Sequence, residues 1–225
     1  MTNLSRNFGE IDCWVFDLDN TLYPPSCSLF PQIDDRMRAY IAATLGIPPE
    51  TASVLQKRYY HEHGTTLRGL MLNHDVDPDA FLAYVHEIDC SVIAPSPRLA
   101  RAIAALPGRK LVFTNGSAGH ARNVLAQLDL TECFQAVFDI RASDFIPKPQ
   151  PEAYGNLVRL HGLEPRRCVM FEDLARNLGP AAQLGMTTVW VRDPRHVHWT
   201  DDGNGDAADV HYVTDDLAGW LEAVI

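Results

Sequence analysis

The chain has 225 residues, 46% of them hydrophobic, enough to bury a full core in one domain or in one domain with a smaller insert. Its formal charge of −10, from 19 basic and 29 acidic residues with no long basic run, argues against a nucleic-acid-binding surface. Five scattered cysteines without a Cys-x-x-Cys argue against a disulfide framework and for reduced cytoplasmic thiols, and no apolar run reaches the ~18 residues of a membrane span.

The N-terminal stretch Met1 to Glu10 lacks the apolar core of a signal peptide. The first predicted strand runs from Ile11 to Phe16 and leads into Asp17-Leu18-Asp19-Asn20-Thr21-Leu22. Residues i and i+2 share a face while the chain is extended, so Asp17 and Asp19 leave the strand side by side. Like charges at that range repel unless a proton or a cation lies between them. A divalent metal removes the repulsion and leaves one carboxylate able to attack an electrophile.

From Leu22 to about Pro95 no comparable strand is predicted. Ile33, Met37, Tyr40, Ile41 and Leu45 recur at helical spacing. So do Val54, Leu55 and Tyr59, then Leu67, Leu70 and Met71, then Phe81, Leu82, Val85 and Ile88. Breaks fall at Gly46-Ile47-Pro48-Pro49, at Gly64 and near Asp77-Pro78, which makes a four-helix bundle over 22–95 with Tyr40, Phe81 and Tyr84 in its core. The segment Tyr59 to Leu70 mixes aromatic, imidazole, hydroxyl and guanidinium groups about a glycine break. Its Tyr60, His63, Thr65 and Arg68 suit a planar, hydrogen-bonding ligand such as a nucleobase. His61 and His63 lie two apart, a spacing that does not face one metal on a helix, and His196 and His198 share it.

Further strands are predicted at 110–114, 136–139, 167–171 and 187–191, with helical patterns between them. Alternation of this kind implies an α/β fold, a parallel sheet covered by helices on both faces. Active groups of such sheets gather at the carboxyl ends of the strands, where Asp17, Thr114 and Asp173 fall. Cys13 and Cys168 lie inside predicted strands as small buried hydrophobes. The tail from Asp193 to Asp209 reads as a surface loop, 210–213 as a short added strand, and 215–224 as a terminal helix.

Four segments in order resemble the motifs of the haloacid dehalogenase-like superfamily: Asp17 to Leu22, Lys110 to Gly116, Pro147 to Glu152, and Val169 to Asp173 with Asn177. The resemblance covers residues 11 to about 192. It implies a Rossmann-like sheet of five strands with the first one central, a catalytic core of 1–21 and 96–225, and a helical cap of 22–95. Asp17 would be the nucleophile, and Asp19 the acid and then the base. Lys148 would meet a phosphoryl oxygen and the nucleophile carboxylate, and Thr114 with the backbone N–H groups of Asn115 and Gly116 would donate to the phosphoryl oxygens. Mg²⁺ would be held by Asp17, Asp173 and the carbonyl of Asp19, with Glu172 and Asn177 behind them. Many members have Gly where Glu172 stands, which leaves its reach to the metal open.

The dehalogenase branch typically lacks the second acid of the first motif, so Asp19 favours phosphoryl transfer. The segments around Asp17, Tyr60 to Leu70 and Phe171 to Asn177 are most similar to the pyrimidine 5′-nucleotidase branch. The implied activity is a Mg²⁺-dependent phosphatase of small phosphorylated metabolites, with UMP or CMP as substrate. A broad sugar-phosphate phosphatase or a phosphomutase shares the core motifs, and a non-catalytic phosphate-binding protein would have no need of all of them. The sequence admits a homodimer and implies no nucleic-acid or membrane partner.

Overall fold

The computed structural model describes residues 8–193 and 207–225. The first strand is β1 (Cys13–Phe16), followed by four helices: α1 (Leu29–Leu45), α2 (Pro49–His63), α3 (Thr66–His74) and α4 (Pro78–Val85). Then come α5 (Pro97–Ala105), β2 (Arg109–Phe113), α6 (Ala118–Gln127), β3 (Ala136–Phe138) and α7 (Pro151–His161). The chain continues through β4 (Cys168–Glu172), α8 (Gly179–Leu184), β5 (Thr187–Val191), β6 (Tyr212–Thr214) and α9 (Leu217–Glu222).

The strands form one parallel sheet in the order β3-β2-β1-β4-β5-β6, with β1 paired on both sides. The sheet has six strands, not the five expected. The short stretch read as an added strand becomes β6 because Tyr212, Val213 and Thr214 find ladder partners in Val189, Trp190 and Val191. Alternate residues of β1 feed two cores. Trp14 and Phe16 join Val112, Val169 and Phe171 on one face, while Cys13 and Val15 join Leu111, Phe113 and Met170 on the other. Fully burying each large side chain contributes ~1.5–3 kcal/mol, so this double-sided packing holds β1 rigidly under the groups at its end.

Helices α1 to α4 enclose a third cluster, with Ile41, Tyr59, Leu70, Phe81 and Val85 at its centre. Ile140, which follows β3, is buried in the same cluster, so the insert and the sheet domain share apolar surface. Two glycines permit this arrangement. Gly64 has φ +84, and a Cβ there would lie 3.2 Å from the Pro147 ring; at Gly69 a Cβ would fall 2.4 Å from Cβ of Tyr59. Tyr84, expected in the bundle core, is 38% exposed instead. Its ring lies under the Arg36 guanidinium, 4.3 Å from the centroid, on the outside of the insert.

No helix of the described residues is long and apolar enough to cross a membrane. His196, His198 and most of the tail read as a loop lie outside the described residues, as do Met1 to Asn7.

Candidate active site

The carboxyl ends of β1, β2 and β4 open into a cavity of about 130 Å³ between the sheet and the helical insert. Its walls include Asp17, Asp19, Thr114, Asn115, Gly116, Lys148, Glu172, Asp173 and Asn177, residues predicted from four separate stretches of chain. From the insert come Tyr60, Thr65 and a largely apolar surface that includes Phe30, Ile33, Met37, Phe81 and Val85. His63 and Arg68 are not among the lining residues.

Lys148 organises the floor. Its ammonium donates to Oδ1 of Asp17 at 2.6 Å, to Oε1 of Glu172 at 2.8 Å and to the carbonyl of Phe113 at 2.9 Å. These three bonds use all its donors. Burial alone would lower its pKa, but Asp17 and Glu172 more than offset this and hold it above the ordinary lysine value. Asn115 pins the lysine backbone: Lys148 N donates to Oδ1 of Asn115 at 2.8 Å, and Nδ2 of Asn115 donates to the Lys148 carbonyl at 3.2 Å. The Asn115 amide therefore positions the lysine loop. The hydroxyl oxygen of Thr114 accepts from Gly116 N at 2.9 Å, which leaves its own proton to donate.

Among the described residues, Asp17, Glu172 and Asp173 form a group whose carboxylate oxygens lie within 4.8 Å of one another. Glu172 is already committed: Oε1 accepts from Lys148 and from Nδ2 of Asn177 at 2.6 Å, and Oε2 accepts from Leu174 N at 2.7 Å. Asp17 uses its second oxygen only to accept from the Thr21 hydroxyl at 3.0 Å. Burial first, and then the charge of Glu172, push Asp17 from 3.8 up to about 7, against the pull of Lys148. Burial, Glu172 and Asp17 push Asp173 well above its ordinary value. Three carboxylates thus face one ammonium. Hard oxygen donors with an unmet positive charge fit a divalent cation such as Mg²⁺, with Asp17 and Asp173 as the carboxylates left to reach it.

Asp19 sits in different surroundings. Its Oδ1 accepts from the Tyr23 hydroxyl at 2.5 Å and from Nε2 of His120 at 2.7 Å. Burial would raise its pKa, but the charge and hydrogen bond of His120, with Tyr23, hold it below the usual carboxylate range. His86 stacks on His120 with ring centroids 4.5 Å apart and planes at 10°. Burial, then the neighbouring His120, press His86 down to about 3, so it stays neutral at working pH. On the opposite wall the Arg176 guanidinium lies 4.4 Å over the Tyr60 ring, joining the loop after β4 to α2.

The sequence reading missed Tyr23, His86, His120 and Arg176. Only Tyr23 and Arg176 had a signal, since each lies within four residues of a motif acid.

Residues 11–185 match the family described as haloacid dehalogenase-like hydrolase. The chain is 26% identical over 191 residues to Phosphate metabolism protein 8 of Saccharomyces cerevisiae, covering 77% of this chain and 59% of that protein. It therefore spans less than two thirds of that relative's length. A stretch of 93 residues is 34% identical to Enolase-phosphatase E1 of Frankia alni, covering 40% of this chain and 39% of that one. The fold is similar to that of an L-2-haloacid dehalogenase from Xanthobacter autotrophicus, with TM-score 0.61, 18% identity and coverage of 95% of this chain and 98% of that one. It is also similar to that of a HAD phosphatase from Thermococcus onnurineus, with TM-score 0.63, 17% identity and the same coverage.

Proposed function

The chain belongs to the haloacid dehalogenase-like hydrolases, and we propose that within this family it is a Mg²⁺-dependent phosphatase of small phosphate monoesters, nucleoside 5′-monophosphates such as UMP or CMP in particular. One observation carries the reading. Two carboxylates at the end of the central strand share a cavity, one bonded to a buried lysine among other acids and the other addressed by a histidine and a tyrosine. Their surroundings divide two roles between two acids. The names of the relatives, a phosphate metabolism protein and enolase-phosphatases, support the same class.

In the first step a carboxylate oxygen of Asp17 attacks phosphorus, and the bond from phosphorus to the leaving oxygen breaks. Asp19 gives its proton to that oxygen. Water then attacks the aspartyl-phosphate, Asp19 takes a proton from it, and Asp17 leaves as carboxylate. Lys148 and the Thr114 hydroxyl stabilise the charge on the transferring group. Mg²⁺ held by Asp17, Asp173 and the Asp19 carbonyl would supply further positive charge there. The helical insert acts as a cap, shedding water from the site and touching the part of the substrate that differs from ester to ester. Tyr60 with Arg176 offers a flat, cationic surface for a base.

Without a metal the pKa order is the reverse of what these roles require, Asp17 being raised and Asp19 lowered. A bound cation inverts such local logic, and an arriving phosphate dianion lifts Asp19. This gives a stability test. Because the folded value of Asp17 is raised, the stability it lends is full below 3.8 and lost as pH rises through about 7. The metal-free protein should therefore need the cation most at alkaline pH. Mg²⁺ should raise Tm more at about pH 8 than at about pH 5.5, and Asp173→Ala should erase most of the gain. An equal gain at both pH values, measured by thermal melts, would remove the metal assignment.

Phosphate release across a panel of UMP, CMP, purine nucleotides and sugar phosphates tests the substrate class. Pyrimidine nucleotides should lead, and inactivity on the whole panel would defeat the reading. Tyr60→Ala should lower kcat/KM for UMP by about tenfold, the scale of one lost stacking contact, and for glycerol 2-phosphate by much less. A uniform drop on both esters would make Tyr60 a purely structural residue.

A further inference from the structure

Asp19 has two carboxylate oxygens, and the structure treats them differently. Oδ1 accepts from both Tyr23 and His120. A proton destined for a leaving group must then ride on Oδ2. His120 is only 1% exposed, and facing a carboxylate it must carry its proton on Nε2. Its Nδ1 is buried with no hydrogen-bond partner among the described residues. A buried nitrogen left unpaired is costly, and a ring serving only to fill the core would avoid it.

The ring is held from three sides. Its backbone N–H donates to Oγ of Ser117 at 3.2 Å in the first turn of α6. Its Cδ2 lies where a Cβ at Gly116 would be 3.2 Å away, so the glycine lets the ring approach the β2 loop. Its face is covered by His86, which follows α4 of the helical insert and whose Nδ1 lies 3.0 Å from the same Ser117 Oγ. The path from insert to carboxylate thus runs His86, His120, Asp19.

We propose that His120 is the positioning residue for Asp19, holding Oδ1 so that Oδ2 delivers the proton, and that His86 makes this hold depend on the seating of the helical insert. The proposal rests on the phosphatase reading. In the step concerned the proton passes from Oδ2 of Asp19 to the leaving oxygen as the bond from phosphorus to that oxygen breaks. An alkoxide needs that proton; a nitrophenolate, a far weaker base, can leave without it.

The test compares kcat/KM on UMP and on p-nitrophenyl phosphate for the full chain. His120→Leu should lower the UMP value by about 10²-fold, the scale of a misplaced catalytic group, and the nitrophenyl value by only a few-fold. His120→Gln, which can place an amide N–H near the position of Nε2, should recover much of the UMP rate. His86→Leu should show the same ester-dependent pattern with a smaller loss. An equal drop on both esters, or no recovery in His120→Gln, would overturn the proposal and leave His120 a core residue. If His120→Leu does not fold, imidazole ¹⁵N spectra of the unaltered protein decide. They should show His120 protonated at Nε2, with its signals moved by both Asp19→Ala and His86→Leu. A ring without its proton on Nε2, or one insensitive to either change, overturns the proposal. Wild-type inactivity on both esters would instead remove the phosphatase reading and this inference with it.

Discussion

Asp17→Asn should abolish turnover, by about 10⁴-fold or more, while the fold survives. The amide is nearly the same size and shape as the carboxyl, but it is not a nucleophile and cannot be released as a carboxylate. Folding should tolerate it because the carboxyl it replaces is itself held at about 7 by burial and by Glu172. The amide oxygen can still accept from Lys148, and the Thr21 hydroxyl can turn to accept from the amide nitrogen. The measurement is phosphate release beside a thermal melt, with covalent labelling of acid-quenched protein by a phosphate-labelled ester. Wild-type protein should carry label and the variant none. Retention of even about a tenth of the rate would rule out the covalent route through Asp17.

Lys148→Met should have the largest effect on stability. The ammonium is 1% exposed and joins Asp17, Glu172 and the Phe113 carbonyl. Methionine fills much of the same space but leaves two buried carboxylates without their counter-charge and the Phe113 carbonyl without the ammonium. Removing one partner of a buried ion pair costs about 3–5 kcal/mol. The pH dependence follows from the shifts. Lys148 is raised, so its contribution is present through the neutral range and lost only at strongly alkaline pH. What fails first as pH falls is its partner, because Asp17 takes up a proton near 7. The gap in urea midpoint between wild type and Lys148→Met should be widest at about pH 8 and narrow toward about pH 5. A gap independent of pH would mean that packing, and not charge, explains the loss. Catalysis should disappear in this variant as well, since the same ammonium holds Asp17, the proposed nucleophile.

Much of the floor of the site is legible in the order of the residues alone. Asp17, Thr114 and Asp173 each end an apolar run, and a buried parallel strand announces itself by such a run. The helical insert is legible for the same reason, through its period and its breaks at Gly46, Gly64 and Pro78. Side-chain direction is less so. The side-chain amide of Asn115 clamps the Lys148 backbone, a bond across 33 positions that no local pattern announces. Tyr84 keeps the period of α4 yet is partly exposed, its ring met by the Arg36 guanidinium of α1. His63 and Arg68 belong to a segment whose Tyr60 and Thr65 line the cavity while they do not.

The sequence by itself determined the family, the parallel sheet, the order of the elements and the acids at the strand ends, because each is written in a local pattern of a few residues. Only the tertiary structure decided which groups answer Asp19, whereas the family resemblance already implied Lys148 beside Asp17. His120 reaches Asp19 across 101 positions, Lys148 reaches Asp17 across 131, and His86 reaches Ser117 across 31. It also made 212–214 a sixth strand, since three residues become a strand only when a neighbour offers them a ladder. Local pattern reports what a segment can become. The partner of a buried charge is set by how segments far apart in the chain pack, and no local period encodes that.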